Sequence, residues 1–436
     1  MTPTTHRPTV VVPHGYRSIP VMELASAAGE VCDLVWLVRP SDPECAAMGR
    51  LLGRLGRVVD IEDMNAAELA TAVAPFAPDG IVAFRDDDLV PMAELAARLG
   101  LRFHRLEVAR RLADKMTQRQ ALDAGGLAVP RCREIPARRD RWALSTLVGE
   151  LEFPAVVKPR CGSGSRHTFL VESSAEFLAI LDTLANKPGG REDMVVEEYL
   201  PSAAGAELGT FADYVSVETL ATTDGLQHVA VTGRLHQVAP FRETGFFIPS
   251  DLDPTSTAEV LATASDALHS LGVDFGCVHT EIKLTPEGPR VIEVNGRMGG
   301  GVAEMLQMAA GQDLLAMYLR SALGQPVEID GLMTCDRIGY RLFYQPPISA
   351  RRIRSVGGLQ DIGALAGVDA VGLHLSAEDP VDPYEGTRSF VFSVVGSADT
   401  HAEVAATNAR MYELADVVYE HETDSVAIGA AGLVSA

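Results

Sequence analysis

Short apolar, β-branched runs separated by helix-length stretches open the chain. PTVVVP (8–13) and DLVWLV (33–38) flank a helical pattern around Val21–Gly29, and GIVAF (80–84) precedes another around Leu89–Leu99. Continuous apolar runs of this length read as strands covered on both faces, and their alternation with helices predicts a parallel sheet. From Glu107 to Ala124 a polar, helix-forming stretch ends at Gly125-Gly126, and the turn at Pro130 opens a new unit. Between 154 and 300 the pattern changes to paired strands. AVVKP, TFLVES, MVVEEYL, YVSVETL, HVAVTG, VHTEIKL and RVIEVN predict an antiparallel α+β unit. An unbroken helical pattern over Gly301–Leu323 then leads into a last region with short strands such as SFVFSVV, and the small apolar AIGAAGLVSA reads as a loose tail. The expected organisation is an α/β domain over 1–108, a central domain over 109–325 with a subdomain at about 150–200, and an α+β region over 326–436.

Composition narrows the partners. Hydrophobic residues are 47% and charged residues 22% of the 436, the balance of an ordinary folded chain. A formal net charge of −22 disfavours nucleic acid and anionic membranes, both of which are bound through Lys and Arg, and so favours a small substrate. No cationic leader and no long uncharged apolar run is present in the sequence, and Cys32, Cys45, Cys132, Cys161, Cys277 and Cys335 are scattered without metal-ligand spacing. A cytoplasmic protein with reduced thiols is the expectation.

The chemistry concentrates in three segments. VHTEIKL (278–284) and RVIEVN (290–295) flank TPEGP, and a hairpin centred on Glu287 sets Glu281 opposite Glu293. Period-two alternation then puts Glu293, Asn295 and Arg297 on one face, with Ile292 and Val294 on the other. Carboxylates directly opposite repel, so the pair calls for a cation such as Mg²⁺ or for a wet, exposed face. Upstream, AVVKPRCGSGSRHTFLV places Lys158 before Gly162, Ser163, Gly164 and Ser165. Such a loop can offer backbone N–H groups to phosphate, or can simply be a turn; lacking GK[ST] and a following helix, it is not a Walker A loop. MVVEEYL (194–200) carries an acidic strand exit that serves either a base edge or solvent. His14 and Arg17 in PHGYRS follow the first strand, where open α/β sheets bind ligands, although a plain turn fits as well.

Order and spacing carry more than any one motif. Lys115 after a helix start, Lys158 on a strand, a glycine-rich loop, an acidic hinge and then E-x₁₁-E-x-N-x-R ending in IEVNGRMGGG make the sequence resemble the ATP-grasp enzymes over roughly 8–325. The resemblance implies an ATP-grasp fold with an N-terminal parallel-sheet domain. It places Lys115 and Lys158 on phosphate beneath a lid of Gly162–Ser165, Glu197 on the adenine amino group, and the backbone of Glu198 and Leu200 on the ring edge. Glu281, Glu293 and Asn295 would ligate Mg²⁺, with two ions in the family pattern and Mn²⁺ as an alternative. Arg297 would face the transferring phosphoryl group, and Asp213 or Glu207 the ribose. TGRLHQVAPFRETGFFIPSDL and the glycine entry to a helix at Gly299–Gly301 resemble the L-amino-acid ligase branch. There Arg234, His236, Arg242, Glu243 and Gly300 become substrate candidates, while Phe246 stands after Gly245 where that branch often has histidine. The implied activity is an ADP-forming carboxylate–amine ligase joining a small carboxylic acid to an amine or amino acid, with homodimers common in the family. A purine-pathway or biotin-dependent carboxylase relative and a non-catalytic nucleotide-binding regulator are the alternatives.

Overall fold

The computed structural model describes residues 7–16, 18–135, 141–185, 192–203 and 209–421. Arg17, Glu207 and the terminal AIGAAGLVSA lie outside the described residues. Strands β1 (Thr9–Pro13), β2 (Asp33–Val38), β3 (Arg57–Asp60) and β4 (Gly80–Ile81) form a parallel sheet in the order β3-β2-β1-β4. The last strand is shorter than GIVAF suggests. Val82 still donates its N–H to Val11 O at 3.1 Å, after which Ala83 and Phe84, also buried, carry the chain into Arg85–Asp88.

A small antiparallel sheet, ordered β5-β8-β6-β7, comes next: β5 (Cys132–Ile135), β6 (Ala155–Pro159), β7 (Phe169–Val171) and β8 (Met194–Glu198). The largest sheet has eight antiparallel strands in the order β13-β12-β9-β10-β11-β14-β17-β16. Its members are β9 (Tyr214–Thr222), β10 (Gly225–Arg234), β11 (Gly245–Ile248), β12 (Gly276–Thr285), β13 (Gly288–Asn295), β14 (Ile338–Tyr344), β16 (Val368–Leu373) and β17 (Phe392–Ala398). A separate ribbon pairs β15 (Ala350–Gly357) with β18 (Asp416–His421). Because β11 pairs with β14, the large sheet runs through the position where the sequence suggested a division at 325/326. Among the described residues no helix is long and apolar enough to cross a membrane.

Two helices expected to be continuous are broken, and in each case an aspartate caps the helix that follows. Asp114, at φ −130° and ψ 110°, ends the helix Leu106–Ala113, and its carboxylate then accepts from the N–H groups of Met116 and Thr117 to start Lys115–Ala124. Such a cap is worth about 1 kcal/mol, which makes the break a designed start rather than a flaw. Downstream, Val302–Ala310 stops at Gly311 with φ +65°, and Asp313 caps Leu314–Ala322.

The β12–β13 hairpin also departs from its expected centre. Thr285 pairs with Gly288, so the turn is Pro286-Glu287, and that register alone would set Glu281 opposite Ile292. A β-bulge at Ile292 shifts the ladder by one residue and restores Glu281↔Glu293 and His279↔Asn295. A bulge leaves its extra residue unpaired and re-aims the neighbouring side chains. Ile292 therefore lines the same cavity as Glu293 and Asn295, where strict alternation had put it on the opposite face.

Candidate active site

The helix Lys115–Ala124 fastens the hairpin to the small sheet. Because β13 is the edge of the large sheet, the outward N–H and C=O of Val294 need partners, and the Gln118 amide supplies both at 2.8 Å. The next residue, Arg119, donates to the bulge carbonyl of Ile292 and in bidentate fashion to Glu197 at 2.9 and 3.1 Å. Lys115 N–H donates to Arg160 O at 3.0 Å and its ammonium to Gly162 O at 2.8 Å, so the glycine loop starts from this helix too.

These contacts shape a cleft between the two sheets, lined by Lys115, Lys158, Gly162–Ser165, Glu197, Glu198, Leu200, Glu281, Glu293, Asn295 and Arg297. Its charges are paired. Lys158 Nζ lies 2.6 Å from Glu197 Oε2, and Lys115 Nζ lies 2.9 Å from Glu293 Oε1. Burial opposes ionisation of Glu197, but Arg119 and Lys158 outweigh it and hold the carboxyl at about 2. Burial alone would depress the Lys115 ammonium; Glu293 beside it more than compensates and raises it.

A second cavity opens on the other side of Arg297 and is lined by Arg234, Glu243, Gly300, Phe246, His279 and Arg341 among others. Ser163, Gly164, Glu243, Glu281 and Arg297 line both cavities, so they form the common wall. Behind it lies a buried polar ring. Arg234 donates to Glu243 Oε1 at 2.8 Å and to Ser216 Oγ at 3.0 Å, and its guanidinium sits 4.6 Å from the Phe246 ring centroid. His279 Nδ1 is 2.9 Å from both oxygens of Glu218, and its Nε2 is 3.4 Å from Glu281 Oε1. Burial works against charge on His279, yet Glu218 raises the imidazole to about 9. The two carboxyls of the common wall are driven apart. Burial raises Glu243 against the pull of Arg234, whereas His279, Arg234 and Arg297 overcome burial at Glu281 and hold it at about 2.

Several sequence candidates fall elsewhere. Asp213 is spent on Lys283, at 2.6 Å, and it is Lys283 that lines the cleft. His236 is bonded to Gly209 O at 2.7 Å outside both cavities. Arg242 is buried and ties Ala239 O and Pro346 O together, which makes it a structural cation. His14 is buried under Trp36, with neither ring nitrogen hydrogen-bonded among the described residues. Sequence reasoning missed Gln118, Arg119, Lys283, Glu218 and His279. It also missed Asp86, which holds Arg297 Nε at 3.1 Å from the N-terminal domain. The period-two pattern of VETL and VHTEIKL does place Glu218 and His279 on β9 and β12, but nothing local says that these residues are neighbours.

Metal capacity rests on Glu281, Glu293 and Asn295. Among the described residues no cluster of three or more His, Cys, Asp or Glu forms a self-sufficient cage. Two carboxylates facing across one rung, with an amide oxygen beside them, are a hard-oxygen set of the kind Mg²⁺ uses when phosphate completes its shell. The residues fit that ion.

Residues 151–305 match the ATP-grasp domain profile. Alanine–anticapsin ligase of Bacillus subtilis is 27% identical over 235 residues, covering 51% of this chain and 49% of that protein; the chain thus spans about half the length of that relative. The L-arginine-specific L-amino acid ligase of Bacillus subtilis is 24% identical over 322 residues, covering 71% of this chain and 72% of that one. The crystal structure of L-amino acid ligase from Bacillus licheniformis superposes with a TM-score of 0.75 at 18% identity, over 96% of this chain and all of that one, which establishes the fold.

Proposed function

For a chain that carries an ATP-grasp domain in an ATP-grasp fold, we propose the function of an ADP-forming carboxylate–amine ligase acting on amino-acid-like substrates. The observation that supports it most is the common wall of two cavities, in which a glycine loop and Arg297 stand between a cleft lined by Lys115, Lys158 and the opposed acids and a separate second chamber. ATP lies in the first, with Lys115, Lys158 and the loop N–H groups on its phosphates and the Glu197–Leu200 segment along its base. Glu281, Glu293 and Asn295 would hold Mg²⁺, which when bound would neutralise charge on the phosphate oxygens.

The acid enters the second cavity and sets its carboxylate against Arg297, whose guanidinium Asp86 fixes in place. A carboxylate is a poor acylating agent until one oxygen becomes a good leaving group. Its oxygen attacks the γ-phosphorus, the bond to the ADP oxygen breaks, and an acyl phosphate forms while Lys115, Lys158 and Arg297 balance the charge. The amine then attacks the acyl carbon, phosphate departs with the C–O bonding pair, and one proton must leave nitrogen. Glu243, raised by burial and lining both cavities, is the acceptor, whereas Glu281, held at about 2, stays an anion.

The test is incubation with ATP, Mg²⁺ and panels of carboxylic acids and amines while ADP, AMP and phosphate are measured. ADP and phosphate released only when both an acid and an amine are present is the expected result. AMP release would overturn the acyl-phosphate route, and bicarbonate-dependent ADP release without an amine would favour a carboxylase.

A further inference from the structure

The turn Pro383–Ser389 is remote in sequence from the glycine loop, yet the two are bonded through their backbones. Thr387 N–H donates to Gly164 O at 2.9 Å, and His167 N–H donates to Tyr384 O at 2.8 Å. Gly386 has φ +78°, and a Cβ there would collide with Gly164 O and stand 2.6 Å from Arg166 N, so the close approach depends on glycine. The Tyr384 and Phe169 rings lie 5.5 Å apart, and Glu385 Oε1 is 3.7 Å from His167 Nε2. The gripped loop is not a relaxed one. Ser165 at φ +57° and His167 at φ +48° adopt the left-handed region that L-residues rarely enter, and such geometry persists only where neighbours impose it.

The other side of the same turn reaches the common wall. Thr387 Oγ1 accepts from Glu243 N–H at 3.1 Å and lies 3.5 Å from Glu243 Oε2. The Gln345 amide donates to Thr387 O at 2.7 Å and to Glu243 O at 2.8 Å, which binds the two residues into one unit. Thr387 therefore holds the loop with its backbone nitrogen and Glu243 with its hydroxyl.

We propose that the turn 383–389 is the catch that sets the glycine loop over the phosphate end of the cleft, and that Thr387 is a positioning residue coupling that loop to Glu243. The role of Glu243 in this coupling rests on the ligase reading; the catch itself does not. Seating of the nucleotide and placement of the proton acceptor are then fixed by one turn of the C-terminal region.

Amide hydrogen exchange on the full chain without nucleotide tests both halves, with the KM for ATP as a second readout. In the unaltered protein the His167 and Glu243 amides are protected. Gly386→Ala, and more mildly Tyr384→Ala, speeds His167 exchange about tenfold and raises the KM for ATP by a similar factor, while circular dichroism stays that of the folded chain and the thermal midpoint drops by only a few degrees. Thr387→Val leaves His167 protected but frees the Glu243 amide and lowers kcat at constant KM for ATP, and Thr387→Ser restores both. A His167 amide that exchanges freely in the unaltered protein, or equally slowly in both turn variants, overturns the catch. Equal Glu243 exchange in the Val and Ser variants overturns the coupling. Exchange shifts as described without turnover on any substrate panel support the catch and count against the ligase reading.

Discussion

Glu197 has one oxygen 2.6 Å from Lys158 and both oxygens within reach of Arg119, in a site 4% exposed. Its folded pKa of about 2 lies below the ordinary 4.5, so its contribution to stability is complete above 4.5 and is lost as pH falls from there through about 2. Urea midpoints measured from pH 6 to 2.5 will show that loss. Glu197→Gln will flatten it, at a cost near neutrality of about 3–5 kcal/mol for leaving two buried cations unmatched. Glu293 makes a different demand. Glu293→Gln keeps the shape of the wall but removes the charge that balances Lys115 and the proposed cation, so kcat falls by about two orders of magnitude or more; circular dichroism stays that of the folded chain, while the thermal midpoint drops because the buried Lys115 loses its partner. At this scale the sequence is informative about residues with a chemical signature, such as two lysines, two opposed acids and a glycine loop. It is silent on partnership: that Asp213 is consumed by Lys283, or that Arg119 shares Glu197 with Lys158, depends on segments that only the fold brings together.

The hairpin β12–β13 shows how an element can be legible for an incomplete reason. Its strands and the opposition of Glu281 and Glu293 follow from the sequence pattern, but symmetry about Glu287 is not what achieves it. A two-residue turn and a one-residue bulge together give the same rung, and the bulge brings Ile292 into the cleft. Neither β-propensity nor alternation registers a bulge, because the extra residue is as apolar as its neighbours. Gln118 is likewise invisible locally: a polar residue on a helix, it acts as a short surrogate strand for Val294, 176 positions away. Gln118→Leu conserves bulk and leaves a buried N–H and C=O unpaired, which costs about 2–4 kcal/mol in the urea unfolding free energy. The same change loosens the rung that bears Glu293 and Asn295, so the apparent Mg²⁺ requirement of the ATP reaction will rise with it.

Across the whole molecule, the alternating strands and helices of the first hundred residues and the paired strands after them were readable, but the packing between them was not. One apolar cluster joins Val10, Trp36 and Leu95 to Phe275, Leu306 and Tyr318, and Tyr318 Oη lies 3.4 Å from Ala83 N. The position after residue 108 therefore divides a sequence pattern but not a core. Expression of 109–436 alone will give aggregated or partly folded material, detectable by loss of the near-ultraviolet dichroism and by dye binding, and adding 1–108 in trans will not restore it. The C-terminal strands likewise extend the central sheet, so the chain works as one body around two chambers. That the chambers share a wall, and not a closed partition, has a consequence for efficiency. On the proposed ligase reading, whatever solvent occupies the amine's place faces the activated acyl group as well, so water competes with every slow or ill-fitting amine. The tally of ADP per amide then becomes a property of how fully the second chamber is filled, approaching one only for the partner whose shape leaves no room for a stray water.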